Sequence, residues 1–260
     1  MNETIRIIEK LKTVRNFSDR NISQEHLSVI LKSCLNAATA SARQTYSIIV
    51  VDDKDVMKEI GYVGSVMLVF CVDFNRIIDI AEYLKFQYKH GIPVVDFITA
   101  STDTILAAQT ACITAQSLEI DSFFSNCVHR GNISRIYNLL NLPEKYCFPL
   151  ISLVLGYSDE KTSKLTKKGR LSGPEIIHFN KYQRLNNQEL ENIVLEYDSE
   201  DKHFLSLIDD WREKGYNHYL EYFYEKWCGY SRVAKENDSK IKSNNPYNQV
   251  EKMLIKTGFL

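Results

Sequence analysis

Apolar residues recur at helical spacing from the start of the chain. Ile5, Ile8 and Leu11 share one face of a segment from Glu3 to Lys12, and Asn2 stands where a helix takes its N-terminal cap. After the turn from Thr13 to Arg20, Ser23 is placed to cap a second helix. There Leu27, Ile30, Leu31, Cys34, Leu35 and Ala38 keep i, i+3, i+4 spacing. The β-branched run Ser47 to Val51 predicts a strand, Lys54 to Ile60 a short helix, and the apolar run Val66 to Val72 a buried strand. A helix over Ile77 to Tyr88 follows. Asp103 to Leu118 is apolar around almost its whole circumference, the pattern of a helix in the middle of a fold or at a subunit interface. Ser122 to Phe124 reads as a short strand, Ile133 to Leu140 as a helix, and Pro149 to Leu155 as a strand ending at Gly156. Strands alternating with helices indicate an α/β or mixed α+β layered sheet.

The character changes near residue 157. Ser158 to Arg170 is strongly polar and reads as a loop or linker. Phe204 to Tyr230 reads as a helical hairpin or broken helix whose aromatic stretch, Tyr216 to Tyr230, suits helix packing better than base stacking. Ser231 to Asn245 is polar, and Pro246 to Leu260 carries one more short helix. The last hundred residues therefore read as an appendage to a chain of 260 residues that can bury one full core.

Composition narrows the classes. With 32 Lys and Arg against 33 Asp and Glu, the chain lacks the cationic excess of a dedicated nucleic-acid binder or a polybasic membrane anchor. No apolar run approaches the ~20 residues of a membrane span, and an acid and a base near Met1 disfavour an export signal, so a cytoplasmic location is expected. The 6 cysteines contain no C-x-x-C pair and several lie in apolar patterns, as expected of small hydrophobes in a reduced compartment; no metal is expected. Glycine, at 10 of 260, is too sparse and too scattered for a dinucleotide fingerprint or a P-loop. Any phosphate must be held largely by side chains.

Three loop clusters bear basic or hydroxyl side chains at element boundaries, where a scaffold positions ligand contacts. They are Lys12-Thr13 with Arg15, the run Thr39 to Gln44, and Lys167 to Arg170. Taken singly, each also has an ordinary explanation as a helix end, a turn or a polar loop.

Their order and spacing go further. Lys12-Thr13-Val14-Arg15-Asn16-Phe17, then Ile22-Ser23 opening a helix, then Ala37 through Ser41 to Gln44 before a strand, resembles the opening of the FMN-dependent nitroreductases. Val69 to Arg76, the helix from Asp103 through Ala107-Ala108-Gln109, and Leu153 to Tyr157 followed by Lys168-Gly169-Arg170 extend the likeness. It is greatest to the NADPH-linked nitroreductase and flavin reductase branch, covers residues 3 to about 183, and returns at Pro246 to Phe259.

The resemblance implies an α+β fold, a three-layer α-β-α sandwich with a C-terminal helical extension, dimeric. The FMN-binding domain would span 1–183 and the extension, 184–260, would embrace the partner subunit. It implies FMN as cofactor, NADPH or NADH as electron donor, and nitroaromatics, quinones or free flavin as acceptors. No catalytic side chain is required because the flavin carries the chemistry. Lys12, Lys168 and Arg170 would hold the phosphate, and Arg15 would lie near the flavin pyrimidine edge. Thr13, Ser41 and Gln44 would hydrogen-bond the ring and ribityl chain. Phe124, Ser125 and Asn126, with Cys127, occupy the place of the family's strand and Gly-Gly turn beside the flavin. Arg130 or His129 lies near the position that meets the nicotinamide cofactor. The altered turn at Phe124 to Cys127, the lysine at Lys12 where an arginine is usual, and the unmatched segment 184–245 leave an alternative: a flavin-binding sensor or carrier without turnover.

Overall fold

The computed structural model describes residues 2–86, 92–159, 169–171, 173, 175–199, 208–228 and 247–260. The chain forms two compact units, Met1–Leu165 with Lys242–Leu260, and Thr166–Ile241.

The larger unit is built on a four-stranded sheet of β1 (Tyr46–Val51), β2 (Val66–Asp73), β3 (Asp121–Ser125) and β4 (Cys147–Gly156). Its order is β1-β2-β4-β3 and every pairing is antiparallel, which decides for α+β. Helices α1 (Glu3–Lys10), α2 (Gln24–Cys34), α3 (Lys54–Ile60), α4 (Asn75–Tyr83), α5 (Val94–Ser117), α6 (Cys127–Arg130), α7 (Ile133–Leu139) and α10 (Tyr247–Thr257) surround it. One face packs Leu68 and Phe70 of β2 and Leu153 and Leu155 of β4 against Ile30 of α2 and Ala107, Ala108 and Ala111 of α5. The other packs Met67 and Val69 against Met57 of α3, Ile136 of α7 and Met253 of α10. Three layers result. Both faces of β2 are covered, so it reads as a continuous apolar run. A register shift between Phe70 and Cys71 places Cys71 and Val72 on the same side.

Local signals explain the first helices. The Asn2 side chain accepts from Ile5 N–H, Ser23 from His26 N–H, and Asp53 from Asp55 and Val56 N–H. Other elements depart from the sequence-based boundaries. Helix α4 ends at Tyr83, followed by a left-handed turn at Lys85 (φ 65°); Gln87 and Tyr88, expected in it, lie outside the described residues. Helix α5 begins nine residues before Asp103, directly after Pro93. Its early Ser and Thr residues do not break it, because the hydroxyls of Thr99, Ser101, Thr102 and Thr104 donate to carbonyls four residues back.

In the smaller unit, α8 (Asn187–Asp198) starts with a capping box between Asn186 and Glu189, and α9 spans Tyr219–Lys226. Trp211, Tyr219 and Leu220 are its buried centre, packed by Ile193, Val194 and Tyr197. The Asp198 carboxylate joins the two helices by accepting from Tyr219 N–H at 2.8 Å and pairing with His218 Nδ1 at 2.6 Å. The described part of the hairpin expected over Phe204–Tyr230 is a run of turns and the short α9, while α8 precedes it. The chain after residue 184 is also not all one appendage. Helix α10 belongs to the larger unit, where Met253 and Phe259 are buried in the core.

Candidate functional site

The chain leaves α1 at Leu11 and runs along the free edge of β3. Thr13 forms a parallel bridge with Ser122, and Val14 donates its N–H to Ser122 O at 3.1 Å. Extended backbone alternates its side chains, so burial of Val14 at 1% exposure turns Thr13 and Arg15 outward. The Arg15 guanidinium lies over the Phe123 ring, 5.6 Å from its centroid. Phe17 stacks on Phe123 at 6.1 Å, and Tyr62 meets the same ring edge-on at 4.9 Å. Gly156 admits this arrangement, since a Cβ there would stand 2.7 Å from the Phe17 ring. Among the described residues Arg15 has no acidic partner. Lys12, half-buried, begins the same segment.

The end of β3 lies on the same edge. Ser125 O accepts from the Ser152 hydroxyl at 3.0 Å, and Ser125 Oγ accepts from Cys127 N–H at 3.2 Å. Asn126 precedes α6 with φ −95°, and its carbonyl accepts from the N–H groups of His129 and Arg130. The backbone here therefore needs no glycine, and Ser125 and Asn126 occupy it without left-handed strain. Phe124 is half-buried against the α2 and α5 side. The thiol of Cys127 is 3.6 Å from Ser152 Oγ, and Gly61 lies against its Cβ. Lys12, Thr13, Arg15, Phe124, Ser125 and Asn126 thus flank one sheet edge. Tyr62 joins them and was missed in the sequence. Its signal is weak: an aromatic residue inside the glycine-bounded turn Gly61-Tyr62-Val63-Gly64.

Ser41 and Gln44 sit elsewhere. Their loop feeds the start of β1, where Tyr46 pairs with Val72, while Thr13 adjoins the start of β3, where Asp121 pairs with Gly156. The registers place these points at opposite ends and opposite edges of the sheet. At about 3.4 Å per residue along an eight-residue strand and about 4.8 Å between strands, the corners are roughly 25 Å or more apart. No single small ligand meets both within one chain. The loop is unusual in itself: Ser41 (φ 54°), Ala42 (φ 54°) and Gln44 (φ 49°) are all left-handed without being glycine. Gln44 and Arg76 also border a groove of about 520 Å³ between α2 and β1, lined by Leu27, Leu31, Leu35 and Ile48.

Of the phosphate candidates in the third cluster, Lys168 lies outside the described residues. Arg170 belongs to the smaller unit, where it is exposed and donates to Gly169 O at 2.7 Å. Arg130 faces solvent, whereas His129 is half-buried and stacked on Phe148, with Nδ1 buried and unpaired. Burial, the largest influence, pushes its pKa down, opposed by the carbonyls of Pro149 and Leu150. Burial pushes the Cys34 thiol up to about 11 and the Cys112 thiol upward, away from reactivity. Among the described residues no three His, Cys, Asp or Glu side chains gather as a metal site, and no helix is long and apolar enough to cross a membrane.

No family model matches the chain. Individual proteins do. The FMN reductase [NAD(P)H] of Bacillus subtilis (strain 168) is 28% identical over 240 residues, covering 87% of this chain and 92% of the relative. A second protein of that strain, FMN reductase (NADPH), is 26% identical over 224 residues, 82% of this chain and 85% of its own. Among solved structures, B. megaterium NfrA2 superposes with a TM-score of 0.78 at 26% identity, covering 100% of this chain and 98% of that one.

Proposed function

We propose that this chain, a member of the FMN-dependent nitroreductase family, uses FMN to pass reducing equivalents from NAD(P)H to small acceptors such as nitroaromatics, quinones or free flavin. The observation that carries the reading is Arg15, a solvent-facing guanidinium held on Phe123 at the free edge of β3 with no acid to neutralise it among the described residues. The residues present fit an anionic flavin nucleotide: cations at Lys12 and Arg15, a hydroxyl at Thr13, and an unstrained β3 end at Ser125 and Asn126. When bound, FMN supplies hydride and electron transfer, which no side chain of this site could perform. Arg15 orients the ring's polar edge and, as a fixed positive charge, favours the more negative, reduced form, raising its potential. As the family resemblance implies, Lys12, Lys168 and Arg170 would each supply charge for the phosphate, Thr13, Ser41 and Gln44 would bond the ring and ribityl chain, and Phe124 to Asn126 would lie beside the ring.

A homodimer belongs to this reading. Val95, Ile98 and Ile105 of α5 and Ile5 and Ile8 of α1 expose large apolar side chains. The separation of Arg15 from Ser41 and Gln44 supports the same arrangement, because two copies could bring the corner of one to the edge of the other. The part of the 184–260 extension that precedes α10 would embrace the partner, and a cytoplasmic location goes with this reading. The sensor or carrier alternative stands beside this reading: the β3 end needs no left-handed backbone, but the side chains of Ser125 and Asn126 replace the glycines that would admit close approach to a flavin ring.

The test is direct. The protein titrated with FMN should gain a bound-flavin spectrum, be bleached anaerobically by NADPH or NADH, and be recoloured by menadione or nitrofurazone. A protein that neither binds FMN nor oxidises NAD(P)H with these acceptors refutes the proposal; binding without bleaching favours the carrier.

A further inference from the structure

We propose that Asp103 is a positioning residue for the Ser41–Gln44 loop, acting through the Thr39 hydroxyl to set the backbone that meets FMN. The inference rests on the flavin reading above. Asp103 lies on the inner face of α5 among Ala100, Ala107 and Ala108 and is 3% exposed. A carboxylate there is disfavoured both by helix propensity and by burial unless its oxygens are used. They are. Oδ2 accepts the Thr39 Oγ1 proton at 2.6 Å, and Oδ1 and Oδ2 accept from Ala40 N–H at 3.0 and 3.1 Å. Committing that one proton to the carboxylate leaves the Thr39 oxygen as an acceptor, and Gln44 N–H donates to it at 3.0 Å.

Asp103 thereby grips the loop where it opens and, one step removed, where it closes. Between those points stand the left-handed residues Ser41, Ala42 and Gln44, a conformation that persists only when its surroundings over-determine it. Arg76 supports the closing side by donating to the carbonyls of Arg43 and Gln44, and Gln44 Nε2 donates to Leu35 O at 3.3 Å. The relay refers the loop to the long helix α5 rather than to the strand it feeds. Ser41 and Gln44 are the two residues of this corner assigned to the flavin. Their placement is thus decided by a residue that need not touch it.

Thr39→Val removes the relay but keeps side-chain shape and leaves Asp103 its contact with Ala40 N–H. Thr39→Ser keeps the hydroxyl, and Asp103→Asn weakens both grips. Three readouts are needed: amide exchange of Gln44 in the FMN-free protein, the FMN dissociation constant, and the unfolding midpoint. Thr39→Val should speed Gln44 exchange and weaken FMN roughly tenfold each, the scale of one charge-assisted hydrogen-bond relay. Thr39→Ser should restore both, and Asp103→Asn should act in the direction of Thr39→Val. Folded Thr39→Val and Asp103→Asn proteins that exchange and bind as wild type overturn the inference. So does faster Gln44 exchange with unchanged FMN affinity. A wild-type protein that binds no FMN overturns the flavin reading itself, a result distinct from wild-type binding that is indifferent to Thr39.

Discussion

Gly156→Ala should destabilise the larger unit although the backbone at 156 can accept alanine. The added Cβ would stand 2.7 Å from Phe17 Cδ1, 2.8 Å from Cγ and 3.1 Å from Cβ, all at the stiff base of the ring. Phe17 cannot retreat with its backbone, because it bridges Ser158 and Ser18 N–H donates to Tyr157 O at 2.8 Å. The ring must therefore turn off its rotamer and press on Phe123, which it stacks against at 6.1 Å and which carries Arg15. Overpacking of this kind costs about 1–3 kcal/mol. Chemical denaturation of Gly156→Ala, Phe17→Ala and the double variant measures it as a cycle. With Phe17 trimmed to alanine both ring contacts vanish and only the 3.1 Å approach to its Cβ remains, so Gly156→Ala should destabilise clearly less in that background. A coupling of about 1–3 kcal/mol is the expected result. The same displacement should disturb Arg15 and loosen FMN. Additive effects of the two substitutions would refute the steric reasoning, whatever the single values.

The remaining predictions concern charge. Arg15→Ala should lower the FMN potential by about 30 mV or more, equivalent to about 1.4 kcal/mol for a two-electron couple, with the fold intact; an unchanged potential in equilibrium dye titration removes the role assigned to Arg15. Arg170→Ala should weaken FMN retention about tenfold or more, the effect of one charged phosphate contact, and equilibrium dialysis that finds no change refutes it. His129 should make the protein acid-sensitive. Burial lowers its folded-state pKa, so below the ordinary value of about 6.5 the unfolded chain binds a proton that the folded chain resists, and stability falls as pH falls. One proton accounts for at most about 1.4 kcal/mol per pH unit, and His129→Gln should flatten the decline between pH 7 and 5; an identical pH profile would assign the sensitivity elsewhere.

Elements whose causes are local were legible in the sequence. Helix α2 follows from Ser23 and the spacing of Leu27, Ile30 and Cys34, because a cap and an apolar stripe act within a few residues; the span of α3 was legible too, and the structure adds its cap, Asp53. Strand β2 follows from an apolar run covered on both faces. The start of α5 was not legible, since Thr99 to Thr104 look unhelical until their hydroxyls are seen to donate to their own helix. Nor was Tyr62, whose place beside Arg15 exists only through the Phe123 ring on a distant strand.

By itself the sequence determined the layers, the family likeness and the residue types able to hold a flavin nucleotide without a glycine loop, because periodicity, motif order and charge are properties of the chain. Only the tertiary structure decided which of those residues are neighbours. The order β1-β2-β4-β3 and its registers set Arg15 and Ser41 at opposite corners. Asp103, 64 residues from Thr39, becomes the support of the left-handed loop. Strand pairing and helix packing bring together residues far apart in the chain, and nothing local in the residues themselves records that distance.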